Sequence, residues 1–541
     1  MASTRCVALT SFIFILLGCC SCTFGFNILM SSYYGMGSHF FAGSKVAESL
    51  LKKGHNVTFL ISEAFSHRAE DPAYSNFSFQ IFKHSVPKEE IVDVFSNLIG
   101  QHAFESSQVQ LKTGLKIVEH NINDCLSILR DKAFMGNIEG IDGIVVDTAW
   151  NCGYFIRDFL EMKTNKSRKV PLVAMTPAAN LIGSILEDIS STLNRAYQPE
   201  FGTGYTNRMT FLQRTMNVLE HWKWRFVSKT VSSWFCEIQK ETGQNCHDFD
   251  VLEMYAKADI FLFNTHFAVD FPRALTPNVV LVGGLTCRPA SPLTQELEDF
   301  VQSSGDHGVI IFTLGTYSTS ITTIRPELVT MFAEVFRRLP QKVIWQLKEL
   351  PEWELPSNVK AMPWLPQNDL LGHPKTRMLM YQGGNNGFQE ASYHGVPIVV
   401  IPLHSDQPDV AARIEVRGMG KRLDKMSLSA DVIYETIEEV IGNPSYTKTA
   451  KEVSAIYRNE PMSGPDKAAF WIEHAIKFGG ANMRPPVNEL NFVQYNLLDV
   501  YTFLIGIVIA FVLVVLYVFW FCLSICINLV RPGKSTKSKA D

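Results

Sequence analysis

The stretch MLMYQGGNNGFQE, residues 378–390, decides the fold that we expect for this chain. The apolar run 378–381 predicts a short buried strand, and the Gly-rich segment 383–387 predicts a turn that opens a helix. A helix that begins where a strand ends presents free backbone N–H groups, which bind phosphate. Asn386 and Glu390 are four residues apart on one face of that helix, and a carboxylate there suits the two hydroxyls of a ribose.

The same alternation of strand and helix extends in both directions from this stretch. Apolar runs that predict strands lie at 26–30, 57–61, 144–146, 172–175, 260–263, 309–312, 342–345, 359–362, 378–381 and 398–401. Such runs, separated by helices of which 42–53 is the first, imply parallel sheets covered on both faces. The fold class is therefore α/β, with doubly wound domains at 26–270 and 301–490 and a Pro-rich linker at 271–300. Because ligands of such sheets bind at the carboxyl ends of the strands, we expect a cleft where the two domains face each other.

Composition excludes several classes of protein. The chain has 541 residues, of which 46% are hydrophobic and 19% are charged, and this excludes disorder and a low-complexity fibre. Lys and Arg number 49 against 53 Asp and Glu, so the net charge is −4. A balanced charge without a basic tract in the body argues against a nucleic-acid partner.

The two ends of the chain predict its compartment. Residues 1–25 carry Arg5 ahead of an apolar core and a run of small residues, the pattern of a cleaved signal peptide. Residues 500–530 contain no charged side chain and exceed the ~20 residues that a transmembrane helix needs. The basic tail, 531–541, is then cytosolic and ends in a dilysine-type signal. We therefore expect a single-pass type I protein of the endoplasmic reticulum membrane with a lumenal body.

The cysteines and glycosylation sequons of the body fit that compartment. Asn56, Asn76 and Asn165 lie in N-x-Ser/Thr sequons that a lumenal protein could have glycosylated. Five cysteines in so large a body are no disulfide framework, and their odd number leaves at least one thiol free or paired between chains. These cysteines are Cys125, Cys152, Cys236, Cys246 and Cys287.

Segment 208–235 departs from the α/β pattern. It places large apolar and aromatic residues among basic ones and predicts one or two amphipathic helices. Two interpretations stay open: the helices pack on the core or cover a pocket, or they contact the lumenal face of the membrane near an apolar substrate route.

Residues on either side of 378–390 complete a candidate nucleotide-sugar site. Trp364 precedes a turn that contains proline and could stack on a flat base. Asp406 and Gln407 end a later loop and offer acceptor and donor groups to sugar hydroxyls.

These segments resemble the signature of the UDP-glycosyltransferase family, and the resemblance covers nearly the full chain. The matching segments are 278–284, 300–315, 364–371, 383–390 and 402–407. Within the family the chain is most similar to animal glucuronosyltransferases and ceramide galactosyltransferases. The resemblance implies the GT-B fold, two facing Rossmann-like domains, in which 26–270 binds the acceptor and 301–490 binds a UDP-sugar. It also implies that copies of the chain could associate as a homo-oligomer.

The resemblance assigns a role to each residue of the donor site. Trp364 and Gln367 would meet uracil and ribose, and Glu390 would meet the ribose hydroxyls. The diphosphate and its turn would involve Gly315, Thr316, Gln382, Gly383, Gly384 and Asn386. Asp406 and Gln407 would meet the sugar.

His39 and Asp147 are the candidate catalytic pair. A hydroxyl acceptor is a poor nucleophile near neutral pH and needs a base beside it. His39 lies in the turn after the first strand, where a helix N-terminus disfavours imidazolium, so we expect a neutral ring. Asp147 ends a later strand and would orient that ring. Both match the His–Asp dyad of the family, which implies single displacement with inversion. No cofactor or metal is expected, and the triplet 248–250 is interpreted as surface or capping residues.

Four positions bear on rate and substrate. The family usually has His where Gln382 stands and often Phe where His404 stands, and an uncharged amide beside the diphosphate predicts slower turnover. Asn264 stands where glucuronate-using relatives tend to carry Arg, which favours a neutral hexose such as glucose. Gln407 stands where galactose users tend to have His. The acceptor is expected to be a small lipophilic alcohol, phenol or lipid.

Three functional classes remain to be separated. The first is an active UDP-glycosyltransferase, which the His–Asp pair favours. The second is a catalytically weakened UDP-sugar-binding or regulatory protein, which Gln382 motivates. The third, a structural membrane glycoprotein, leaves the polar residues of the site unexplained.

Overall fold

The computed structural model describes residues 25–93, 103–105, 107–165, 167–178, 183–190, 193–315, 321–486 and 490–530. The chain divides into two compact units, one ending at Arg484 and the other beginning at Pro485.

The first sheet of the larger unit has seven parallel strands in the order β3-β2-β1-β4-β5-β6-β7. They are β1 Asn27–Ser31, β2 Asn56–Ser62, β3 Ser78–Phe82, β4 Gly143–Asp147, β5 Leu172–Thr176, β6 Ile260–Phe263 and β7 Val279–Leu281. The chain builds outward from β1 as far as β3 and then crosses to β4 on the other side of β1. The gap beyond the carboxyl ends of β1 and β4 is therefore a topological switch point.

The second sheet repeats this plan with six parallel strands in the order β10-β9-β8-β11-β12-β13. They are β8 Val309–Thr313, β9 Lys342–Gln346, β10 Val359–Met362, β11 Thr376–Tyr381, β12 Ile398–Val400 and β13 Gly420–Arg422. Its switch point lies between β8 and β11. The two parallel sheets confirm the predicted α/β class.

Helices cover the sheets. Those before β8 are α1 Gly37–Lys52, α2 His67–Glu70, α3 Lys88–Asp93, α4 Ser107–Arg130, α5 Lys132–Asn137, α6 Cys152–Lys163, α7 Gly183–Ser190, α8 Phe211–Ser232, α9 Cys236–Glu241, α10 Val251–Tyr255 and α11 Gln295–Gln302. Those after β8 in the larger unit are α12 Ile321–Ile324, α13 Pro326–Arg338, α14 Gln367–Leu371, α15 Asn385–His394, α16 Gln407–Arg417, α17 Ala430–Gly442, α18 Pro444–Tyr457 and α19 Gly464–Phe478.

The core lies on both faces of each sheet. In β4, Ile144 and Val146 belong to one hydrophobic cluster and Val145 belongs to the cluster on the opposite face. This follows from the alternation of side chains along a strand, and it explains why these strands have unbroken apolar sequences.

The boundaries of the two predicted domains need correction. The predicted linker, 271–300, contains β7, which pairs with β6 as the last strand of the first sheet, and the start of α11. Helix α19 falls inside the predicted second domain but packs on the first sheet, where Ala468 and Ile472 join the cluster of Ile28 and Val145. The physical reason is that α19 shares with α1, whose Val46 and Leu50 belong to the same cluster, the burial of this face of the first sheet.

Two disulfides join four of the five body cysteines. Cys125 is bonded to Cys152 and Cys236 to Cys246, which leaves Cys287 as a free thiol. The expectation that at least one body thiol is unpaired within the chain is confirmed.

The smaller unit contains α20 Phe492–Tyr495 and α21 Leu498–Val530. Helix α21 has 33 residues with a mean hydropathy of 3.0 in its most apolar window, so it is long and apolar enough to cross a bilayer.

Candidate active site

The candidate site lies where the switch points of the two sheets meet. A cavity of about 850 Å³ is lined by residues that follow β1 and β4 on one side and β8, β11 and β12 on the other. Nearly all the predicted site residues line it: His39, Gly315, Trp364, Gln367, Gln382, Gly384, Asn386, Glu390, Asp406 and Gln407. A cavity of this size suits a nucleotide-sugar with space beyond it for an acceptor.

His39 and Asp147 form a hydrogen-bonded pair at the first switch point. His39 is the third residue of α1, and its Nδ1 lies 2.7 Å from Oδ2 of Asp147 at the end of β4. The Asp147 carboxylate is buried and also accepts from the backbone N–H of Ala149 at 2.9 Å and of Tyr33 at 3.4 Å. Since Asp147 accepts the Nδ1 proton, Nε2 is the ring atom that can take a proton from a ligand.

The direction of the pKa shift of His39 is opposite to the one that the sequence predicted. Burial works to lower the pKa of His39, but the charge and hydrogen bond of Asp147, with a smaller effect of Asp406, raise it above 6.5. The partial positive charge of the helix N-terminus is therefore outweighed by a full carboxylate charge at hydrogen-bond distance.

The opposite wall begins with the turn between β11 and α15. Gly383 has φ +100°, a conformation open to glycine, and Gly384 is the N-cap of α15. Gly383 shapes this turn without lining the cavity, whereas Gly384 lines it. The helix N-terminus therefore faces the cavity with free backbone N–H groups.

Glu390 is the sixth residue of α15 and is held by two donors. Gln367 Nε2 donates to its Oε2 at 2.8 Å, and Thr286 Oγ1 donates to its Oε1 at 2.6 Å. Burial raises the pKa of Glu390, while these two hydrogen bonds oppose the shift. Trp364 is half-exposed beside this group, and its ring centroid lies 5.1 Å from that of Phe41 in α1.

Asn386 joins the two walls. Its Nδ2 donates to the backbone oxygen of Ser38 at 3.1 Å, and its Oδ1 accepts from Asn264 Nδ2 at 2.9 Å. Asn264 is fully buried and does not line the cavity. It therefore acts through its hydrogen bond to Asn386. The predicted preference for glucose depends on direct contact between Asn264 and the sugar, and this geometry does not support such a contact.

The loop after β12 closes the site beside His39. Asp406 is the N-cap of α16 and lies close enough to His39 to raise its pKa. The side-chain oxygen of Gln407 accepts from the backbone N–H groups of Leu403 at 2.8 Å and His404 at 3.2 Å. The amide nitrogen of Gln407 is therefore the side-chain atom that can donate a hydrogen bond to a ligand. Burial, with Lys425 nearby, lowers the pKa of His404 to about 4, so this ring is neutral.

Gln382 and Gly315 touch across the second switch point. Gly315 has φ +79°, a backbone conformation that favours glycine, and a Cβ there would lie 2.1 Å from Gln382 Nε2, so the amide of Gln382 would have to move. The Oε1 atom of Gln382 is buried and has no hydrogen-bond partner in the described part of the chain. Thr316, the neighbour predicted to assist at the diphosphate, lies outside the described residues.

Sequence reasoning missed several groups of the site. Thr286 reaches Glu390 from the segment after β7, Arg288 lines the cavity, and Asn385 Nδ2 donates to backbone oxygens of Pro177 and Asn264 at 2.7 Å. Of these, only Asn385 lies in a motif that the sequence singled out.

Among the described residues, no group of three or more His, Cys, Asp and Glu side chains could hold a metal ion. Asp250 caps α10 by accepting from Leu252 N at 2.8 Å, as predicted for the 248–250 triplet.

Comparisons with known proteins agree with this architecture. Residues 30–533 match the family model described as "UDP-glucoronosyl and UDP-glucosyl transferase". UDP-glucuronosyltransferase 2B1 of Rattus norvegicus is 32% identical over 518 residues, 92% of this chain and 94% of that protein. UDP-glucuronosyltransferase 1A1 of Mus musculus is 33% identical over 519 residues, 93% and 92% of the respective chains.

Solved glycosyltransferases share the fold at lower sequence identity. The glycotransferase of kitacinnamycin superposes with a TM-score of 0.58 at 17% identity, covering 83% of this chain and 98% of its own. CalG4, the calicheamicin glycosyltransferase, superposes with a TM-score of 0.55 at 17% identity, covering 84% and 99%. The predicted GT-B fold is confirmed.

Proposed function

The chain belongs to the UDP-glucuronosyl and UDP-glucosyl transferase family, and from this premise we propose the reaction that it performs. It transfers a hexosyl or glucuronosyl group from a UDP-sugar to a hydroxyl of a small lipophilic alcohol, phenol or lipid. The transfer is a single displacement with inversion and uses no metal ion. The observation that supports this most is the His39–Asp147 pair, which faces the N-terminus of α15 across one cavity.

The chemistry follows from this arrangement. Nε2 of His39 takes the proton of the acceptor hydroxyl, and the oxygen attacks the anomeric carbon as its bond to the UDP oxygen breaks. Asp147 fixes the tautomer and stabilises the imidazolium that forms. The leaving diphosphate gains negative charge next to the free N–H groups of Gly384 and α15. These N–H groups stabilise the charge in place of a metal ion. Glu390 and Trp364 bind the ribose and uracil, and Asp406 and Gln407 bind the sugar.

A donor-by-acceptor screen tests the proposal. Membranes that carry the full chain are offered UDP-glucose, UDP-galactose and UDP-glucuronate with a panel of phenols, alcohols and lipids. We expect product with the opposite anomeric configuration and an unchanged rate after chelation with EDTA. A strict need for manganese, or retention of configuration, would contradict the mechanism.

The raised pKa of His39 predicts how the rate depends on pH. The neutral ring is the active base, so the rate is present above its pKa and is lost as the pH falls through it. Because that pKa lies above 6.5, the acid limb of kcat/KM is expected above pH 6.5. Asp147→Asn removes the largest raising effect and should move the limb to lower pH while also lowering kcat. If the acid limb of kcat/KM does not move in Asp147→Asn, the group that titrates in this limb is not His39.

The Gln382 position predicts a gain. A cationic donor makes a hydrogen bond about twice as strong as a neutral one, so Gln382→His should raise kcat by roughly fivefold, about 1 kcal/mol. Gln382→Ala serves as the control and should lower kcat. Unchanged turnover and UDP affinity in Gln382→His would refute this role for the position. If the native chain forms no product and Gln382→His does, the second candidate, a weakened UDP-sugar-binding protein, is favoured.

We further propose that the chain is a single-pass protein of the endoplasmic reticulum, anchored by α21 with its larger unit in the lumen. The apolar length of α21 and the basic residues that follow it support this topology. Glycosidase-sensitive glycans at Asn76 or Asn165, both exposed, would report a lumenal location.

A further inference from the structure

Segment 200–205 ties the helices of the first sheet to a helix of the second. It lies between α7 and α8, and two of its backbone N–H groups donate to the carboxylate of Asp409 in the first turn of α16. Gly202 N lies 2.9 Å from Oδ2 of Asp409, and Gly204 N lies 3.0 Å from Oδ1. We call segment 200–205 the clasp.

The side chain of Asp409 is used for this contact. Asp409 is 1% exposed, and each of its carboxylate oxygens accepts one N–H group of the clasp. Hydrogen bonds to a charged acceptor are roughly twice as strong as neutral ones, so the contact is a strong one. Asp409 does not line the cavity, although Asp406 and Gln407 just before it do. Any effect of Asp409 on a ligand is therefore exerted through the clasp.

The close approach of the clasp to α16 depends on glycine. Gly202 has φ +76° and Gly204 has φ +63°, conformations that favour glycine. A Cβ at Gly204 would lie 3.2 Å from Cβ and 3.3 Å from the backbone oxygen of Pro408, and a Cβ at Gly202 would lie 3.4 Å from the backbone oxygen of Ser405. The clasp thus packs directly against the start of α16.

The other end of the clasp is anchored at Glu200. Glu200 is 3% exposed, its backbone N–H donates to Asn217 Oδ1 in α8 at 2.6 Å, and its Oε2 lies 3.1 Å from His221 Nδ1. Oε1 of Glu200 accepts from the backbone N–H of Phe201 at 3.1 Å. Phe201 therefore lies between an anchor on α8 and an anchor on α16.

Phe201 is the residue that these two anchors hold at the cavity. It lines the cavity, and its ring centroid lies 6.5 Å from that of Trp224 in α8. Other apolar and aromatic residues from the helices and loops of the first sheet line the cavity with it, among them Tyr33, Ile117, Ile185 and Tyr255. This apolar part of the cavity suits the lipophilic acceptor.

We propose that Phe201 limits the size of the acceptor, and that Asp409 is the positioning residue that sets this limit through the clasp. The proposal rests on the transfer to a lipophilic acceptor proposed above. While Asp409 holds the clasp, Phe201 is a fixed wall of the cavity. When that contact is lost, the wall can withdraw and a larger acceptor fits. The half of the molecule that is expected to bind the donor would thus also take part in the choice of acceptor.

Binding of two phenols to the full chain in nanodiscs tests the proposal without sugar transfer. Para-cresol and the larger para-cumylphenol are titrated calorimetrically in the presence of saturating UDP, and the ratio of their Kd values is the readout. Phe201→Ala should shift this ratio severalfold in favour of the larger phenol. Asp409→Asn should shift it in the same direction, because an amide has a single acceptor oxygen and would place its NH₂ group against one of the two N–H groups.

Asp131→Asn is the matched control. Asp131 also accepts from two backbone N–H groups, those of Ala133 and Phe134 at 3.0 Å, but it caps α5 and does not line the cavity. Its replacement should leave the ratio at the native value. The double variant Phe201→Ala/Asp409→Asn should show the shift of Phe201→Ala alone, because Asp409 acts through Phe201.

A second variant tests the contact from the side of the clasp. Gly204→Ala keeps Asp409 and pushes the clasp away from Pro408, so it should also favour the larger phenol. Amide hydrogen exchange in the peptide 200–205 should become faster in Asp409→Asn and Gly204→Ala and stay native in Asp131→Asn.

Several results would overturn the proposal. An unchanged Kd ratio in Asp409→Asn with faster exchange at 200–205 would mean that the clasp opens without affecting the acceptor. Unchanged exchange in that variant would mean that Asp409 does not hold the clasp, and additive shifts in the double variant would mean that Asp409 acts independently of Phe201. If the native chain binds neither phenol, the acceptor class and this proposal both fail. Failure of the proposed reaction alone would appear as bound phenol without product.

Discussion

Replacing His39 by alanine is expected to lower kcat by about 10²–10⁴-fold, the range of a lost general base. The affinity for UDP should stay close to that of the native chain, because the groups proposed to bind UDP lie on the opposite wall of the cavity. Turnover measured with saturating UDP-sugar and acceptor, beside calorimetric titration with UDP, separates the two quantities.

A second histidine–aspartate pair provides the matched control. His84 Nδ1 lies 2.8 Å from Asp124 Oδ2, nearly the same geometry as His39 and Asp147, but the side chain of His84 is fully buried and does not line the cavity. His84→Ala should lower the thermal stability and leave kcat of the folded protein nearly unchanged. Equal losses of kcat in the two variants would mean that His39 acts through structure and not as a base.

Replacing Arg413 by alanine is expected to cause the largest loss of stability, about 3 kcal/mol, near the lower end for breaking a buried ion pair. Arg413 in α16 is 2% exposed, and its Nε donates at 2.7 Å to Asp270, which is completely buried. Burial would raise the pKa of Asp270, but Arg273 and Arg413 hold it below its ordinary value. Arg273 remains 3.0 Å from Asp270 in the variant and limits the loss.

Chemical denaturation of the full chain in nanodiscs measures this effect. Arg417→Ala is the control, because in the described part of the chain Arg417 donates to backbone oxygens of Phe267 and Asp270 and not to a carboxylate, and it should cost about 1 kcal/mol. If both variants lose the same free energy of unfolding, the Asp270–Arg413 ion pair does not stabilise the contact between α16 and the segment after β6.

Most of the strands that the sequence predicted are largely buried, although β10, at the edge of the second sheet, was predicted and none of its 4 residues is fully buried. Runs such as 260–263 and 309–312 became β6 and β8, which are buried along their whole length. The strands that escaped prediction were β3, β7 and β13, which lie at or near the ends of the sheets and are short or partly exposed. β3 and β13 contain polar or charged residues, and β7 is an apolar run of only 3 residues, too short to stand out in the sequence.

The sequence also could not predict which of the two sheets helix α19 packs on. The sequence of α19 identifies an amphipathic segment, and nothing in it states which sheet its apolar face will cover. Ala468 and Ile472 meet Ile28 and Val145 across more than 300 residues of chain, so the domain boundary was decided by packing.

The sequence by itself determined the order of most strands and helices, the glycine turn at 383–384, the location of His39 and Asp147 at the ends of these elements, and the location of Glu390 within α15. These features depend on local side-chain periodicity and turn chemistry. Only the tertiary structure decided that Thr286 holds Glu390, that Asn264 acts on Asn386, and that the pKa of His39 is raised and not lowered. Each of these depends on residues about 100 or more positions apart, and the energy of a hydrogen bond or a charge is set by which distant groups the fold brings within a few ångströms.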